Sequence, residues 1–318
     1  LQVKSSIEHF KIKHDDVILF IEESDKKIDL TQKIRIDVDF QKVFSFLNWN
    51  FNDLLKRENK IQDFIKLCEN EIGSIKEPIY FFASHYSDDT TLLVLSLFKV
   101  KTFYLMDEGT ASFTVAENRQ KREMILYLKL LIKSFLYGIK ISRAKSIIYY
   151  TRFNLKINKK DKKEVYTLNK KDNLLTSINT NQIDFLGSSV VELNIMTEKN
   201  YINYLKIVKK LYKRKKLIYF KHRKEHPLKL EKIKEIGFNI KNIETTYENY
   251  FESKSLQSGI ICSFYTTSVI MNISKNFINT PELIIYTFPI NKLTKERKIF
   301  NSIIDAIKED ENIKIVKI

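Results

Sequence analysis

Short runs of β-branched and aromatic residues alternate along the chain with longer stretches of helical period, and this alternation limits the possible fold more than any other feature. The strand-like runs are Asp16–Ile21, Ile79–Phe82, Thr102–Met106, Ser146–Tyr150, Ile183–Leu186, Leu217–Phe220, Gly259–Phe264 and Leu283–Phe288. The helical stretches are Phe51–Glu71, Ala116–Leu136, Thr197–Tyr212 and Thr294–Glu309. Strand followed by helix, repeated, predicts parallel sheets joined by crossover helices, which is an α/β fold.

One polar stretch interrupts this alternation. Residues Asn158–Asn173 read NKKDKKEVYTLNKKDN, which predicts a linker or surface excursion. A chain of 318 residues is long enough for two domains of ordinary size. We therefore expect a boundary near residue 176, with an N-terminal domain over 1–176 and a C-terminal domain over 177–318.

The charge balance indicates an anionic partner. Lys and Arg number 55 against 39 Asp and Glu, a net charge of +16. Such an excess suits nucleic acid, anionic lipid, a nucleotide or an acidic glycan.

The two cysteines, Cys68 and Cys262, lie far apart without metal-ligand spacing, so we expect no disulfide and a reducing cytoplasm. No apolar run reaches the roughly 18 residues of a transmembrane helix, and no signal peptide is visible in the sequence, which starts at Leu1.

The stretch FYLMDEGTAS, residues 103–112, ends a strand-like run in two acids and a glycine. A carboxylate that faces a cleft can act as a general base, and adjacency of Asp107 and Glu108 can raise the pKa of one of them. Gly109 permits a sharp turn and a close approach by a ligand. The alternative is a solvated turn with a helix N-cap at Thr110 or Ser112.

A second unusual loop, YFKHRKEHPLK at residues 219–229, contains a His-Pro pair. His226 can hydrogen-bond a phosphate and supply a proton, and Pro227 stiffens the loop. His222 is a rival for the same role. The loop's positive charge comes from Lys221, Arg223, Lys224 and Lys229. The alternative is a basic surface turn.

The third loop, CSFYTTSVIMNI at residues 262–273, has three hydroxyl residues between a strand and a helical pattern. Thr266, Thr267 and Ser268, with the free N–H groups of a helix N-terminus, could bind an anion. The alternative is ordinary N-capping. The chain has no G-x-x-x-x-G-K-[ST] phosphate loop.

The order acid-acid-Gly, His-Pro, Ser/Thr cluster resembles that of bacterial sialyltransferases. The resemblance is to the lipooligosaccharide sialyltransferases of glycosyltransferase family 52, and more distantly to polysialyltransferases and the Pasteurella-type enzymes. It extends over most of the chain through LQVKSSIEHF, IYFFASHYSDDTTLLVLSLF, DEGTASF, GIKISRAKSIIYY and DFLGSS. Members of family 52 begin with a strand before the first of these segments, so we expect residues to be missing before Leu1.

This resemblance implies a GT-B fold, in which two Rossmann-like domains face a central cleft. It implies transfer of sialic acid from CMP-N-acetylneuraminic acid, with inversion and without a metal or other cofactor. The implied acceptor is a terminal sugar, galactose by preference, of a lipooligosaccharide or capsule glycan. Consistent with a metal-free reaction, the sequence has no suitably placed Asp-x-Asp and no His/Cys cluster.

The resemblance also implies site residues. His226 with Pro227 would stabilise the departing phosphate. The donor-binding residues would be Thr266, Thr267, Ser268, Glu248 in TTYENYF, Gly187 and Ser188. Asp107 would be the general base, with Glu108 and Glu192 as alternatives. Family 52 has an Asp just after its Gly-Ser, whereas this chain reads Gly187-Ser188-Ser189-Val190.

Other partners and functions stay open on the sequence. Ten Lys or Arg and no acid lie between Lys206 and Lys224. With the basic run Lys121–Lys145, these could attract anionic lipid or a charged glycan, or form a solvated helix face. The helical segment Met124–Tyr137 could pack on a core or lie on a membrane, so the expected location is a bacterial cytoplasm, with peripheral contact at the inner membrane face.

A homodimer, a GT-B enzyme using another nucleotide sugar and a basic nucleic-acid-binding protein are alternatives. The last lacks an RNA-binding signature, and no specific nucleic acid is expected.

Overall fold

The fold is described from a computed structural model of the chain. It describes residues 2–13, 16–23, 42–47, 60–73, 78–86, 88–107, 109, 111–119, 123–166, 170, 177–254, 256–265, 267–295 and 297–318. Within these ranges the backbone divides into two units. One comprises 1–107, 119–152 and 157–166, and the other 108–118, 153–156 and 167–318. The boundary expected at residue 176 falls in 171–176, outside the described residues.

The first unit contains a parallel sheet covered by helices. Its strands are β1 (Ile18–Glu23), β2 (Lys42–Leu47), β3 (Ile79–Ala83), β4 (Val100–Met106), β5 (Ile148–Thr151) and β6 (Lys162–Val165). Strands β3-β4-β5-β6 form one parallel sheet in that order, and β1 pairs with β2, also in parallel. Its helices are α1 (Gln2–His9), α2 (Lys60–Ile72), α3 (Asp89–Leu97) and α5 (Glu123–Tyr137). Helix α4 (Ala111–Arg119) lies almost wholly in the segment 108–118 of the second unit.

Helices α2, α3 and α5 of this unit share one apolar core. Its buried side chains come from these three helices and from Ile141, which follows α5: Ile61, Phe64, Ile65, Cys68, Leu92, Leu93, Val94, Leu130, Tyr137 and Ile141. Helix α3 begins after Asp88, whose side chain accepts a hydrogen bond from Thr91 N at 2.9 Å, so the local sequence caps the helix that this core then holds.

The prediction that Asn158–Asn173 is wholly a linker or surface excursion is wrong for residues 162–165. These four residues, KKEV, form β6 at the edge of the sheet, where they pair with β5. Only one side of an edge strand hydrogen-bonds to the sheet, and exposed lysines are common there because they discourage further pairing. The strand is therefore specified by its neighbour and not by an apolar pattern of its own.

The second unit is built on a six-stranded parallel sheet. Its strands are β7 (Ser177–Leu186), β8 (Lys216–Phe220), β9 (Asn239–Lys241), β10 (Leu256–Phe264), β11 (Glu282–Thr287) and β12 (Ile313–Lys317). The sheet order is β12-β11-β10-β7-β8-β9. From the β9 side this reads third, second, first, fourth, fifth and sixth, which is the Rossmann strand order. The chain reverses direction across the sheet between β7 and β10.

Helices connect the strands of this unit, as parallel pairing requires. They are α6 (Glu198–Leu211), α7 (Pro227–Glu235), α8 (Tyr247–Ser253), α9 (Val269–Asn276) and α10 (Arg297–Lys308), with a 3₁₀ turn at Ile290–Lys292. Aromatic side chains fill much of the core; Phe185 of β7 lies between Tyr219 of β8 and Phe264 of β10, with ring centroids 5.6 and 5.1 Å away.

A buried carboxylate ties the central strands together. Asp184 of β7 accepts hydrogen bonds from Tyr247 Oη at 2.7 Å, Ser258 Oγ at 2.5 Å and Gln182 Nε2 at 3.0 Å. A buried charged group needs such donors because it has lost its water. The α/β fold class predicted from the sequence, with parallel sheets in both halves, is confirmed.

Candidate functional site

The predicted donor-binding segments of the second unit follow three neighbouring strands. Gly187 and Ser188 follow β7, the His-Pro loop follows β8, and Thr267 and Ser268 follow β10. Because these strands are parallel and adjacent, their carboxyl ends meet at one edge, about 4.8 Å apart from strand to strand. The gap between β7 and β10 is the topological switch point, where open α/β sheets bind ligands. The sheet therefore brings these three segments to one place.

Gly187 is a glycine because other groups occupy the space beside it. A Cβ at this position would lie 2.6 Å from Glu225 Oε2 and 2.7 Å from Tyr219 Oη. Its N–H donates to Phe220 O at 2.9 Å, which ties the exit of β7 to the end of β8. Ser188 next to it is buried.

A buried ion-pair network lies beneath the His-Pro loop. Lys229 is 1% exposed, and its Nζ lies 2.7 Å from Glu225 Oε1, 3.1 Å from Glu192 Oε2 and 3.0 Å from Ser188 O. Glu225 also accepts from Tyr219 Oη and from His222 N, both at 2.6 Å. Burial raises the pKa of Glu225 above its ordinary value, and Lys229 opposes that rise. Each charge is thus matched by partners from several segments, as a buried pair requires.

Two sequence interpretations change with this network. Lys229 was expected to add positive charge around His226, but its ammonium is buried and neutralised by carboxylates. Glu192 was an alternative base, yet Oε1 accepts from His226 N at 3.0 Å and Oε2 binds Lys229. Both of its oxygens hold the loop in place, which favours a structural role.

His226 is the N-cap of α7, with Pro227 at the first helical position. Its Nδ1 accepts a hydrogen bond from Leu228 N at 3.3 Å, while the residue as a whole is exposed. In the neutral ring the proton then lies on Nε2, because a nitrogen that accepts cannot also bear hydrogen. The cap therefore orients an N–H donor away from the helix.

His222, the rival histidine, is placed differently. It is half-buried, and its Nδ1 accepts from Lys224 N at 3.2 Å. Burial lowers the pKa of His222, and Arg223, Lys224 and Lys229 lower it further.

At the exit of β10, Ser268 does not behave as an ordinary helix cap. It occupies the N-cap position of α9 without a side-chain capping bond, whereas Thr267 Oγ1 accepts from Val269 N at 3.4 Å. The alternative interpretation, that the Ser/Thr cluster only caps the helix, is therefore supported by one long hydrogen bond at Thr267 and by none at Ser268. Thr266 lies outside the described residues.

Gly109 of the acidic motif lies directly against Ser268, within the second unit. A Cβ on Gly109 would be 2.4 Å from Ser268 Oγ, and the φ angle of Gly109 is +57°. Both the close approach and the left-handed backbone favour glycine. Two motifs that are 159 residues apart in sequence therefore meet.

Glu248 belongs to the same neighbourhood. It lies in the first turn of α8, and its Oε1 accepts from Asn272 Nδ2 of α9 at 3.0 Å. Asn272 N in turn donates to Ser268 O at 2.9 Å. Asn272 therefore connects Glu248 to Ser268 through two hydrogen bonds.

Asp107 closes strand β4 of the first unit. It is 4% exposed, and Oδ2 accepts from Arg152 N at 2.8 Å, just past the neighbouring strand β5. The Arg152 guanidinium lies 5.7 Å from the ring centre of Tyr166. Burial raises the pKa of Tyr166 to about 12, with Arg152 opposing and Asp107 adding to the rise. The strand end thus fixes the position of the Asp107 carboxylate, whereas Glu108 lies outside the described residues.

Within the described residues, no three His, Cys, Asp or Glu side chains are grouped as metal ligands would be. None of the helices there has both the length and the apolar character needed to cross a bilayer.

Three solved structures resemble that of this chain at low sequence identity. No family model and no curated protein matches the sequence. The structure is similar to that of MurG from Acinetobacter baumannii, with a TM-score of 0.43, 10% identity and coverage of 99% of this chain and 81% of that one. It is similar to the spinosyn forosaminyltransferase SpnP, with a TM-score of 0.46, 9% identity and coverage of 94% and 77%. Both are GT-B glycosyltransferases. A ketoreductase domain from the bacillaene assembly line has a TM-score of 0.27 and 11% identity, with coverage of 94% and 76%. Likeness at this level says nothing about what the chain binds.

Proposed function

We propose that the protein is a GT-B glycosyltransferase, specifically a sialyltransferase that moves sialic acid from CMP-N-acetylneuraminic acid to a terminal galactose of a bacterial surface glycan. The observation that supports it most is the meeting of the His-Pro loop, the Ser/Thr cluster and Gly109 of the acidic motif in the second unit. The His-Pro loop and the Ser/Thr cluster share the carboxyl edge of the β10-β7-β8 strands, and Gly109 lies on Ser268. These are the motifs on which the resemblance of the sequence to family 52 rests.

The second unit would bind CMP. The N-terminus of α9 and the hydroxyls of Thr267 and Ser268 offer donors to phosphate or carboxylate oxygens. Glu248, beside the same turn, would accept from the ribose hydroxyls. Gly187 and Ser188 would form the floor of this site at the switch point.

His226 would act on the leaving group. When the bond between the anomeric carbon and the phosphate oxygen breaks, CMP departs with the electron pair and negative charge grows on phosphate. A donor at His226 Nε2 would stabilise that charge or transfer a proton to it. The buried Glu225–Lys229 pair and Glu192 would hold the loop that carries this donor.

Asp107 would act on the acceptor. It would take the proton from the attacking hydroxyl, whose oxygen forms the new bond on the face opposite the departing phosphate, so that the anomeric centre inverts. The metal-free character of the reaction stays a prediction. A GT-B transferase with another nucleotide sugar would use the same fold and would differ in the nucleobase that its donor site recognises.

A pair of substitutions at His226 tests the central catalytic assignment. Asn keeps a capping acceptor for Leu228 N but lacks the imidazole, whereas Ala loses both. We expect both variants to slow single-turnover sialyl transfer by about 10²–10³-fold, the usual loss for one group that meets developing charge. Only His226→Ala should also lower helix stability, by about 1 kcal/mol. Near wild-type transfer by His226→Asn would show that the histidine is merely a cap.

A further inference from the structure

Helix α5 has two apolar faces, and only one of them is covered. Leu130 and Tyr137 are buried in the core shared with α2 and α3. The exposed large side chains are Leu128 at 54%, Leu131 at 49%, Ile132 at 61%, Phe135 at 88% and Leu136 at 44%. Their spacing of i, i+3, i+4, i+7 and i+8 places them on one stripe of the helix. We call this stripe the α5 face.

The α5 face differs from the other exposed apolar positions. Exposed leucines and isoleucines that stand singly are normal on a protein surface. Among the described residues, five of the 14 exposed large hydrophobic side chains lie on this one helix, and the others are spread over several elements. A contiguous patch of this kind marks an interaction surface.

The charge around the face identifies the occupant. From Met124 to Lys160 the sequence has nine Lys or Arg and no acid. Lys140 and Lys145, just beyond the end of α5, are exposed, and neither forms an ion pair within the described part of the chain. Lys133 differs, because it pairs with Asp89. An apolar stripe followed in the chain by exposed lysines matches an anionic bilayer, in which the stripe enters the acyl boundary and the lysines reach the phosphates.

A second copy of this chain fits the face less well. A symmetric dimer would place each α5 face against the same face of the partner. After Glu123 at the start of α5, each helix and the segment that follows it to Lys160 carry only positive charge, and like charges repel in an interface.

We propose that the α5 face docks the protein on an anionic membrane surface. This inference does not depend on the donor sugar, so it can fail or succeed separately from the proposed function. The docking is peripheral, since the stripe covers one side of the helix and the other side belongs to the core.

The test is co-sedimentation of the full chain with phosphatidylcholine vesicles, made with and without phosphatidylglycerol. We expect binding to the anionic vesicles only. Ile132→Glu should lower the partition coefficient by roughly tenfold or more, because it places a carboxylate in the apolar stripe. Ile278→Glu is the matched control, since Ile278 is 58% exposed on another surface, and it should bind as wild type does.

A second variant tests the electrostatic part. Replacing Lys140 and Lys145 with Glu should weaken binding by about fivefold or more per lysine and reduce its dependence on salt. Circular dichroism checks that each variant is folded. No binding to anionic vesicles, or equal binding by Ile132→Glu, would overturn the proposal. A vesicle-free dimer that Ile132→Glu dissociates would assign the face to a second copy instead.

Discussion

Replacement of Lys229 by Met tests whether the loop of His226 rests on a buried ion pair. Lys229 is 1% exposed and its Nζ contacts Glu225, Glu192 and Ser188 O at 2.7–3.1 Å. Met has a similar shape and no charge, so the substitution leaves the buried carboxylate of Glu225 without its cation. Removing one partner of a buried pair costs about 3–5 kcal/mol. We expect a loss in that range from the free energy of unfolding of the second unit.

The partner substitution should restore much of that loss. In the double variant Lys229→Met, Glu225→Gln no buried charge remains at 225, and the Gln side-chain oxygen can still accept from Tyr219 or His222 N. Neutralising both members of a buried pair is often tolerated. A strong coupling between the two substitutions would therefore show direct interaction.

The dependence on pH gives an independent check. Burial raises the pKa of Glu225 above its ordinary 4.5, and the loss of Lys229 removes the charge that most opposes this rise, leaving only the hydrogen bonds from Tyr219 Oη and His222 N. A carboxyl with a raised folded-state pKa contributes stability that is present below pH 4.5 and is lost as pH rises through the raised value. The deficit of Lys229→Met relative to wild type should thus be largest at neutral pH and smallest near pH 4.5.

Hydrogen exchange is the appropriate assay, because it reports opening free energies for individual strands of a two-unit chain. The amides of β7 and β8 should lose protection in Lys229→Met and regain it in the double variant. Protection unchanged from wild type at pH 7 would refute the description of the pair as buried and mutually neutralised.

Two further substitutions have distinct expected results. Because the pKa of His222 is lowered from its ordinary value of 6.5, the imidazole stays neutral in the folded state at pH values somewhat below 6.5. The contribution of His222 to the free energy of unfolding is therefore lost as pH falls from 6.5 towards the lowered pKa. In His222→Gln, the free energy of unfolding, measured by urea titration at several pH values, should depend less on pH in this range. A pH dependence equal to that of wild type would contradict the burial of the ring. Asp107→Asn should keep the bond from Arg152 N and the fold, yet slow single-turnover transfer by roughly 10²–10⁴-fold as expected for loss of a base. Near wild-type transfer would move the base to another carboxylate.

The sequence predicted those parts of the fold that have a local pattern. Strands such as β4 and β10 are apolar enough to be recognised alone, and the loops after them were therefore placed correctly beyond strand ends. By contrast, β6 reads KKEV and β9 has three residues, so pairing with a neighbour and not composition makes them strands. Strands β2 (KVFSFL) and β12 (IKIVK) were also missed, although both contain the apolar and β-branched or aromatic residues typical of a strand.

The site was predictable only at the level of segments. Glu225 and Lys229 look like an ordinary i, i+4 surface pair in the sequence, because nothing local shows that Tyr219, Ser188 and Glu192 enclose them. The contact of Gly109 with Ser268 likewise depends on tertiary structure. The two faces of α5 are a similar case, because the sequence does not distinguish the apolar residues that pack into the core from those that are exposed to solvent.

The most direct test of the proposed function is hydrogen exchange of the protein with CMP, UDP, GDP and ADP in parallel. CMP should protect the loops after β7, β8 and β10, around Ser188, His226 and Ser268. At about 100 times the dissociation constant it should stabilise the second unit by roughly 2.7 kcal/mol. A stronger response to UDP, or protection by CMP only outside these three loops, would contradict the assignment of a CMP-sugar site at this edge of the sheet.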